Sequence, residues 1–312
     1  MDIVKLIEAQ IERVKKVSSS EYVDLVLNHL ERAELYLSLG KEDEEYFNDV
    51  IYRTNQAFEG ALKESYKVLG EKTDEEVVSL TPFKIESYLK ENSIFKERVL
   101  KLFENYRQEW RNKTTHDFRI RIDENEAFLA LVSVSSFVHL LLKNIEEKLA
   151  FESELEREET ENIAKEINKV KSAKISLLDK IFKLLKLFIE DQSEIRNISE
   201  FEMIGKLNAF LQKSVPNITV NRDVSYTIGT SNVRLDFVIE YESETVLLEI
   251  KNSTQPGKAK TDIDYLTSLL ALTGLKNGIL FYKSASIKNN QLEIHQHEVL
   301  VNEIKYSVFL IV

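Results

Sequence analysis

The stretch RLDFVIEYESETVLLEIKNS, residues 234–253, decides the fold of the second half of this chain. Both of its halves alternate apolar and other residues at period two, the spacing of a β-strand. Glu242 and Ser243 lie between the halves. With those two as the turn, Asp236 lies opposite Glu249. Strand period then places Asp236, Glu249 and Lys251 on one face, and Leu235, Phe237, Ile239, Val246, Leu248 and Ile250 on the other. Opposed β-carbons sit about 5 Å apart. Two carboxylates at that distance repel unless a cation joins them, and hard oxygen ligands favour Mg²⁺ or Mn²⁺.

The flanking sequence extends the pattern. Upstream, SEFEMIGKLNAFLQK (199–213) reads as a helix with Ser199 as N-cap and Ser199-x-x-Glu202 as a capping box. Ile204, Leu207 and Leu211 define its buried face. Glu200 falls on that face, so it is the acid expected to point towards the sheet, whereas Glu202 falls on the wet side. ITVNRDVSYTI (218–228) reads as a further strand. Downstream come a helix, TDIDYLTSLLALTGL, a strand, GILFYKS, and a closing hairpin, LEIHQHEVL and IKYSVFLIV. Residues 199–312 therefore read as an α/β domain with a central mixed sheet.

Helix, three-stranded meander, helix and strand, with Leu235-Asp236, twelve residues, then Glu249-Ile250-Lys251, resembles the PD-(D/E)XK nuclease superfamily, the restriction-endonuclease-like fold. The likeness covers roughly residues 195–285, and Leu235 stands where the family has proline. It implies that Asp236, Glu249 and the carbonyl of Ile250 hold a Mg²⁺ or Mn²⁺ ion, with Glu200 as a third acid. Lys251 would orient or deprotonate the attacking water. Gln255, Lys258 and Lys260 would touch the phosphate backbone, and Tyr265 would stand near the site. The competing reading is an edge hairpin whose Glu249 and Lys251 face solvent.

The first half is helical by pattern. YVDLVLNHLERAELYLSL and YFNDVIYRTNQAFEGALKESYKVL carry apolar residues at three- and four-residue spacing, the second ending at Gly70 as a C′ residue. EKTDEEVVSLTPF reads as a loop with Pro82 opening the next helix. Asp123 reads as the N-cap of ENEAFLALVSVSSFVHLLLKNIEEKL, which is apolar almost all round at its centre and so reads as a bundle core. The expected division is a helical bundle over 1–149, a helical connector over 150–198 and the α/β domain over 199–312. In the connector, ESELEREETENIAKEINKVK reads as a solvated helix or coiled-coil arm.

Arg111-Asn112-x₃-His116 follows an apolar helical stripe ending at Trp110. It resembles the R-x₄₋₆-H motif of the HEPN superfamily, many of whose members are metal-independent ribonucleases, and the likeness covers roughly residues 20–150. It implies that His116 acts as general acid or base at the RNA 2′-OH, that Arg111 stabilises the phosphorane with Asn112 beside it, that no cofactor is needed, and that two copies form the site as a homodimer. Phe118 stands where some members have an acceptor tyrosine. The competing reading pairs Arg111 with Glu104 or Glu109 and leaves His116 on the surface.

Composition sets limits. A net charge of −11 argues against a general nucleic-acid coat protein but leaves room for a nuclease with a local basic patch. No cysteine is present, which excludes disulfides and thiolate zinc sites and fits a reducing cytosol. No apolar run is read as long enough to span a membrane. His295 and His297 share a strand face without a third ligand, and His29 and His139 read as structural. No phosphate-binding G-x-x-x-x-G-K-[ST] loop occurs. The expectation is a nuclease acting on DNA, RNA or both, in prokaryotic defence against phage or foreign nucleic acid. Two alternatives remain: a non-catalytic dimerisation or sensing bundle controlling the C-terminal nuclease, and a nucleic-acid-binding scaffold that cuts nothing.

Overall fold

A computed structural model describes residues 3–17, 21–92, 94–95, 97–112, 121–192, 195, 197–228, 231–251, 258–283, 294–301 and 304–311. The chain divides into two compact units, Met1–Leu149 and Ala150–Val312.

The first unit is helical: α1 (Ile3–Val17), α2 (Glu21–Leu39), α3 (Tyr46–Leu69), α4 (Asp74–Val78), α5 (Pro82–Glu91), α6 (Glu97–Tyr106), a π-helical turn (Arg107–Asn112), and the first part of α7 (Glu124–Glu156). Its core joins α1, α2, α3, α6 and α7 through residues such as Ile11, Leu30, Phe58, Phe103 and Phe137. Asp123 caps α7 as expected: its Oδ1 accepts from Glu126 N–H at 2.8 Å, and Glu126 Oε2 accepts from Asp123 N–H at 3.3 Å. α7 is long and apolar enough, by length and composition alone, to cross a membrane, contrary to the reading above. Half of that apolar stretch is buried, Val134, Phe137 and Val138 completely, which is how the core helix of a bundle meets the same test.

Two local readings change. EKTDEEVVSLTPF is not all loop, because Thr73 and Glu76 form a complete capping box that starts α4. At the end of α3, Gly70 keeps a right-handed conformation and Glu71 takes the left-handed one, φ 51°. Lys72 N–H donates to Lys67 O at 2.9 Å, so the Schellman closure falls one residue later than the glycine predicts.

The second unit contains α8 (Glu161–Ser172), α9 (Leu177–Asp191), α10 (Glu200–Ser214), β1 (Thr219–Ile228), β2 (Ser231–Tyr241), β3 (Glu244–Lys251), α11 (Lys258–Thr273), β4 (Asn277–Tyr282), β5 (Ile294–Val301) and β6 (Ile304–Ile311). Its six-stranded sheet has the order β1-β2-β3-β4-β6-β5. β3–β4 and β4–β6 are parallel and the other pairs antiparallel, so the sheet is mixed. α8, α9 and α10 cover one face over Phe237, Ile239, Val246, Leu248 and Phe281. α11 covers the other over Val238, Leu247, Leu280, Tyr282 and Val308. The segment read as a connector is thus part of this unit's core. Ile163, Ile167 and Val170 make a buried stripe at four- and three-residue spacing inside a segment polar everywhere else.

Candidate active site

β2 and β3 form the hairpin that the Glu242-Ser243 turn predicts, with pairs running from Tyr241–Glu244 to Phe237–Leu248. The backbone ladder stops there. At the next level the N–H of Asp236 donates to Oε1 of Glu249 at 3.1 Å, and the N–H of Ile250 donates to Oδ2 of Asp236 at 2.9 Å. On its other side β3 stays paired with β4 as far as Lys251–Tyr282. The two carboxylates therefore lie where one pair of strands parts while the neighbouring pair holds. Each carboxylate accepts from a backbone N–H at the point where the strands part.

Lys251 closes the group. Its Nζ lies 3.5 Å from Glu249 Oε2 and 5.1 Å from the centroid of the Tyr265 ring. α11 carries Tyr265 there, and Asp262, one turn earlier, accepts from the buried Tyr282 hydroxyl at 2.7 Å. Glu249 is 3% exposed, which is not the surface of a solvated edge hairpin. Burial and then the neighbouring Asp236 charge push its carboxyl up to about 7, against the opposing pull of the Asp236 N–H and Lys251. The Tyr265 phenol is raised as well, by burial first and then by Glu249.

Two acids and one lysine leave the group short of positive charge. Oxygen donors short of positive charge fit a hard divalent cation. Among the described residues no cluster of three or more His, Asp or Glu side chains comes together, so further ligands would have to come from backbone carbonyls or water.

One part of the predicted face pattern is wrong. Leu235 packs in the α11 layer with Val238 and Leu247, whereas Phe237 and Ile239 lie in the α8–α10 layer. Residues two apart on a regular strand share a face, so β2 switches its facing between 235 and 237. β1 makes the matching switch: Val220 packs with the α8–α10 layer and Val224 with the α11 layer. Between them Asp223 takes φ 58°, opposite Asp236, where the β1–β2 ladder skips one pair. Asp223 is held by an ion pair with Arg234. Asn-Arg-Asp in a strand otherwise rich in β-formers was the available signal, since Asp tolerates the left-handed region better than most residues.

Glu200 opens α10, whose apolar face packs on the layer opposite Glu249. Ser199 caps the helix by accepting from Glu202 N–H at 3.0 Å, while the Glu202 carboxylate pairs with Lys206 at 2.8 Å, so the reciprocal half of the box is diverted. Both glutamates are half-buried, and burial does not separate them as the helical wheel did. The start of α10 is nevertheless tied to the Lys251 end of the sheet. Lys283 N–H donates to Lys251 O at 2.7 Å, and Lys283 Nζ donates to Ile198 O. Lys258 and Lys260 are exposed in the first turn of α11, and Gln255 lies outside the described residues.

In the first unit, the backbone of Arg111 and Asn112 belongs to the π-helical turn, and His116 lies outside the described residues. That turn is well supported. The buried Tyr106 hydroxyl donates to Asn55 Oδ1 at 2.7 Å and lies 2.9 Å from Thr54 Oγ1. Arg107 Nε donates to both oxygens of the buried Glu86, at 2.7 and 3.0 Å. His139 shares a hydrogen bond with Gln10 at 2.7 Å, and His29 contacts Arg53 at 3.4 Å, which are packing roles.

Comparison of the chain with protein-family models, with curated proteins and with solved structures returns no match.

Proposed function

We propose that this protein is a nuclease whose second unit hydrolyses phosphodiester bonds with a divalent cation. The observation that carries this reading is the pairing of half-buried Asp236 with buried Glu249 at the parting of β2 and β3, with Lys251 beside it. Asp236, Glu249 and the Ile250 carbonyl would hold Mg²⁺ or Mn²⁺. Such a cation supplies Lewis-acid polarisation of the phosphate and a more acidic bound water. Lys251 would orient or deprotonate the attacking water and offset charge on the phosphorane. Glu200, at the start of the helix tied to the Lys251 end of the sheet through Lys283, would be the third acid, and Tyr265 holds the lysine from the α11 side. Exposed Lys258 and Lys260, with Gln255, offer phosphate-backbone contacts on DNA or RNA.

The testing experiment is cleavage of RNA, single-stranded DNA and duplex DNA with Mg²⁺ and with EDTA, by the natural chain and by Asp236→Asn and Lys251→Ala. Cation-dependent cutting that both substitutions abolish is expected. Cutting that survives either one overturns the assignment.

A second reading concerns the first unit. The π-helical turn at Arg107–Asn112 supports a ribonuclease site of the HEPN kind built on Arg111, Asn112 and His116, since such turns often mark functional positions. Such a site needs no cofactor and takes a second copy of the chain as partner. RNA cleavage in EDTA that is lost in His116→Ala is the expected result, and retention of that cleavage removes the reading. The two sites together fit a role in prokaryotic defence against foreign nucleic acid. Should the first unit not cut, its role falls to dimerisation or sensing for the second; should neither site cut, the chain is a nucleic-acid-binding scaffold.

A further inference from the structure

The sheet of the second unit ends on two very different edges. β1, at one end, carries the devices that keep an edge from pairing with another chain. Asp223 takes φ 58° and interrupts its ladder, and Arg222 and Asp223 add charge beside the interruption. β5, at the other end, has no such break. It pairs with β6 without interruption from Ile294–Ile311 to Val301–Ile304. It contains no Lys, Arg or Pro. Glu298 is its one acid, and Leu300 is 70% exposed. Among the described residues only β6 packs extensively along it. An edge strand uses alternate N–H and C=O groups inwards and directs the others outwards.

Symmetry and side-chain order select a partner. A second copy of this chain would meet β5 antiparallel about a two-fold axis normal to the sheet. That operation keeps the faces of the sheet on their own sides, so opposed residues must have numbers of the same parity. Only two such registers overlap nearly the whole strand. With Glu298 on the axis, two carboxylates oppose each other directly, which is unfavourable. With His297 on the axis, Gln296 opposes Glu298 of the other copy, and the arrangement occurs twice by symmetry. An amide donor then meets a carboxylate acceptor on the exposed face, and His295 opposes Val299 on the α11 face. Gln296, Glu298 and Leu300 share the exposed face because Val299 packs towards the α11 layer.

We propose that β5 is a homodimer interface, in which two copies of this chain pair β5 antiparallel about an axis through His297 and make one continuous sheet. This interface is independent of the catalytic reading and lies in the second unit, not at the Arg111 turn.

The test is the mass of the full chain in solution by light scattering, over a concentration series reaching about 100 µM, for the natural chain and for Gln296→Glu and Gln296→Lys. Gln296 is exposed, so either change leaves the monomer fold in place, which circular dichroism checks. Gln296→Glu sets like charges opposite each other twice and is expected to weaken the dimer about tenfold. Gln296→Lys makes two opposite-charge pairs and is expected to keep or tighten the dimer, now sensitive to salt. A natural chain that stays monomeric throughout overturns the proposal. So does a dimer whose dissociation constant is the same in both variants.

Discussion

The N–H of Asp236 donates to the carboxylate of Glu249 at 3.1 Å, across a step where their two strands no longer share a backbone ladder. The reciprocal bond, Ile250 N–H to Asp236, holds the second acid in place. These two bonds keep two like charges side by side in a buried setting, at a cost that depends on pH. The Glu249 carboxyl is raised to about 7 in the fold, above its ordinary value of 4.5. A carboxyl raised in this way binds more protons folded than unfolded, so stability falls as pH rises from 4.5 to about 7 and then levels. In EDTA, denaturation at pH 5 and pH 8 is expected to differ by on the order of 2–3 kcal/mol from this group. Asp236→Asn keeps an acceptor for Ile250 N–H and removes the like charge, so it should reduce that dependence while the larger part, set by burial, remains. A variant with the same pH profile as the natural chain would show that the Asp236 charge adds nothing to the effect of burial on the Glu249 carboxyl.

Tyr265 should act through its ring rather than its hydroxyl. The Lys251 ammonium lies over that ring, and a phenylalanine presents the same face. If the second unit cuts nucleic acid, Tyr265→Phe is expected to retain cleavage within about twofold and Tyr265→Ala to lose about tenfold, the loss that about 1.4 kcal/mol implies. Equal losses in both would assign the effect to the hydroxyl instead.

Lys180 is a buried cation that ends a helix. Its Nζ donates to the carbonyls of Ala173 at 2.7 Å, Val170 at 3.2 Å and Lys171 at 3.3 Å, at the C-terminus of α8. Charge-assisted bonds to the negative end of the helix account for an amine that is 5% exposed. Lys180→Met keeps the volume and removes the bonds. It is expected to cost about 2 kcal/mol and to speed hydrogen exchange of the α8 amides selectively.

Glu154 anchors the end of α7. It accepts two bonds from Arg157 at 2.8 Å and one from Gln192 at 3.0 Å, with Lys213 at 3.6 Å and Asp191 on the far side of the same arginine. Glu154 is 1% exposed, and its loss leaves Arg157 with Asp191 and Lys213 with Glu159 as their remaining carboxylates. Glu154→Ala removes its charge-assisted bonds and is expected to cost about 2 kcal/mol in urea denaturation of the second unit, most of it retained in high salt because the carboxylate itself is buried. A cost that salt abolishes would mean the network is solvent-exposed.

Tyr106 holds the π-helical turn against α3. Tyr106→Phe leaves buried Thr54 and half-buried Asn55 without its hydroxyl and should destabilise the first unit by about 1–2 kcal/mol. Trp110, the chain's single tryptophan, lies 5.6 Å from that ring and reports on the change. Its fluorescence midpoint in denaturant should fall, while the second unit's transition stays in place.

The sequence by itself determined the local elements and the pairing of the central hairpin. Period-two alternation with two polar residues at the turn leaves one register for Asp236 and Glu249, because slipping by one residue would expose Leu248 and Phe237. It also determined the caps at Ser199 and Asp123, since a short side-chain acceptor before an apolar helical run has one use. Tertiary structure alone decided the rest. Ile163, Ile167 and Val170 are too few to mark a core helix until the sheet lies beneath them. Leu235 obeys strand alternation in sequence and breaks it in space, because Asp223 turns the neighbouring strand by a backbone state that no period reveals. The carboxylate pair was legible as two residues, but the burial of Glu249 and the pair's bonds to backbone N–H groups arise only where β2 leaves β3 and β4 does not. Periodicity records which way a side chain faces within its own strand; where neighbouring strands separate depends on what packs on both sides of the sheet.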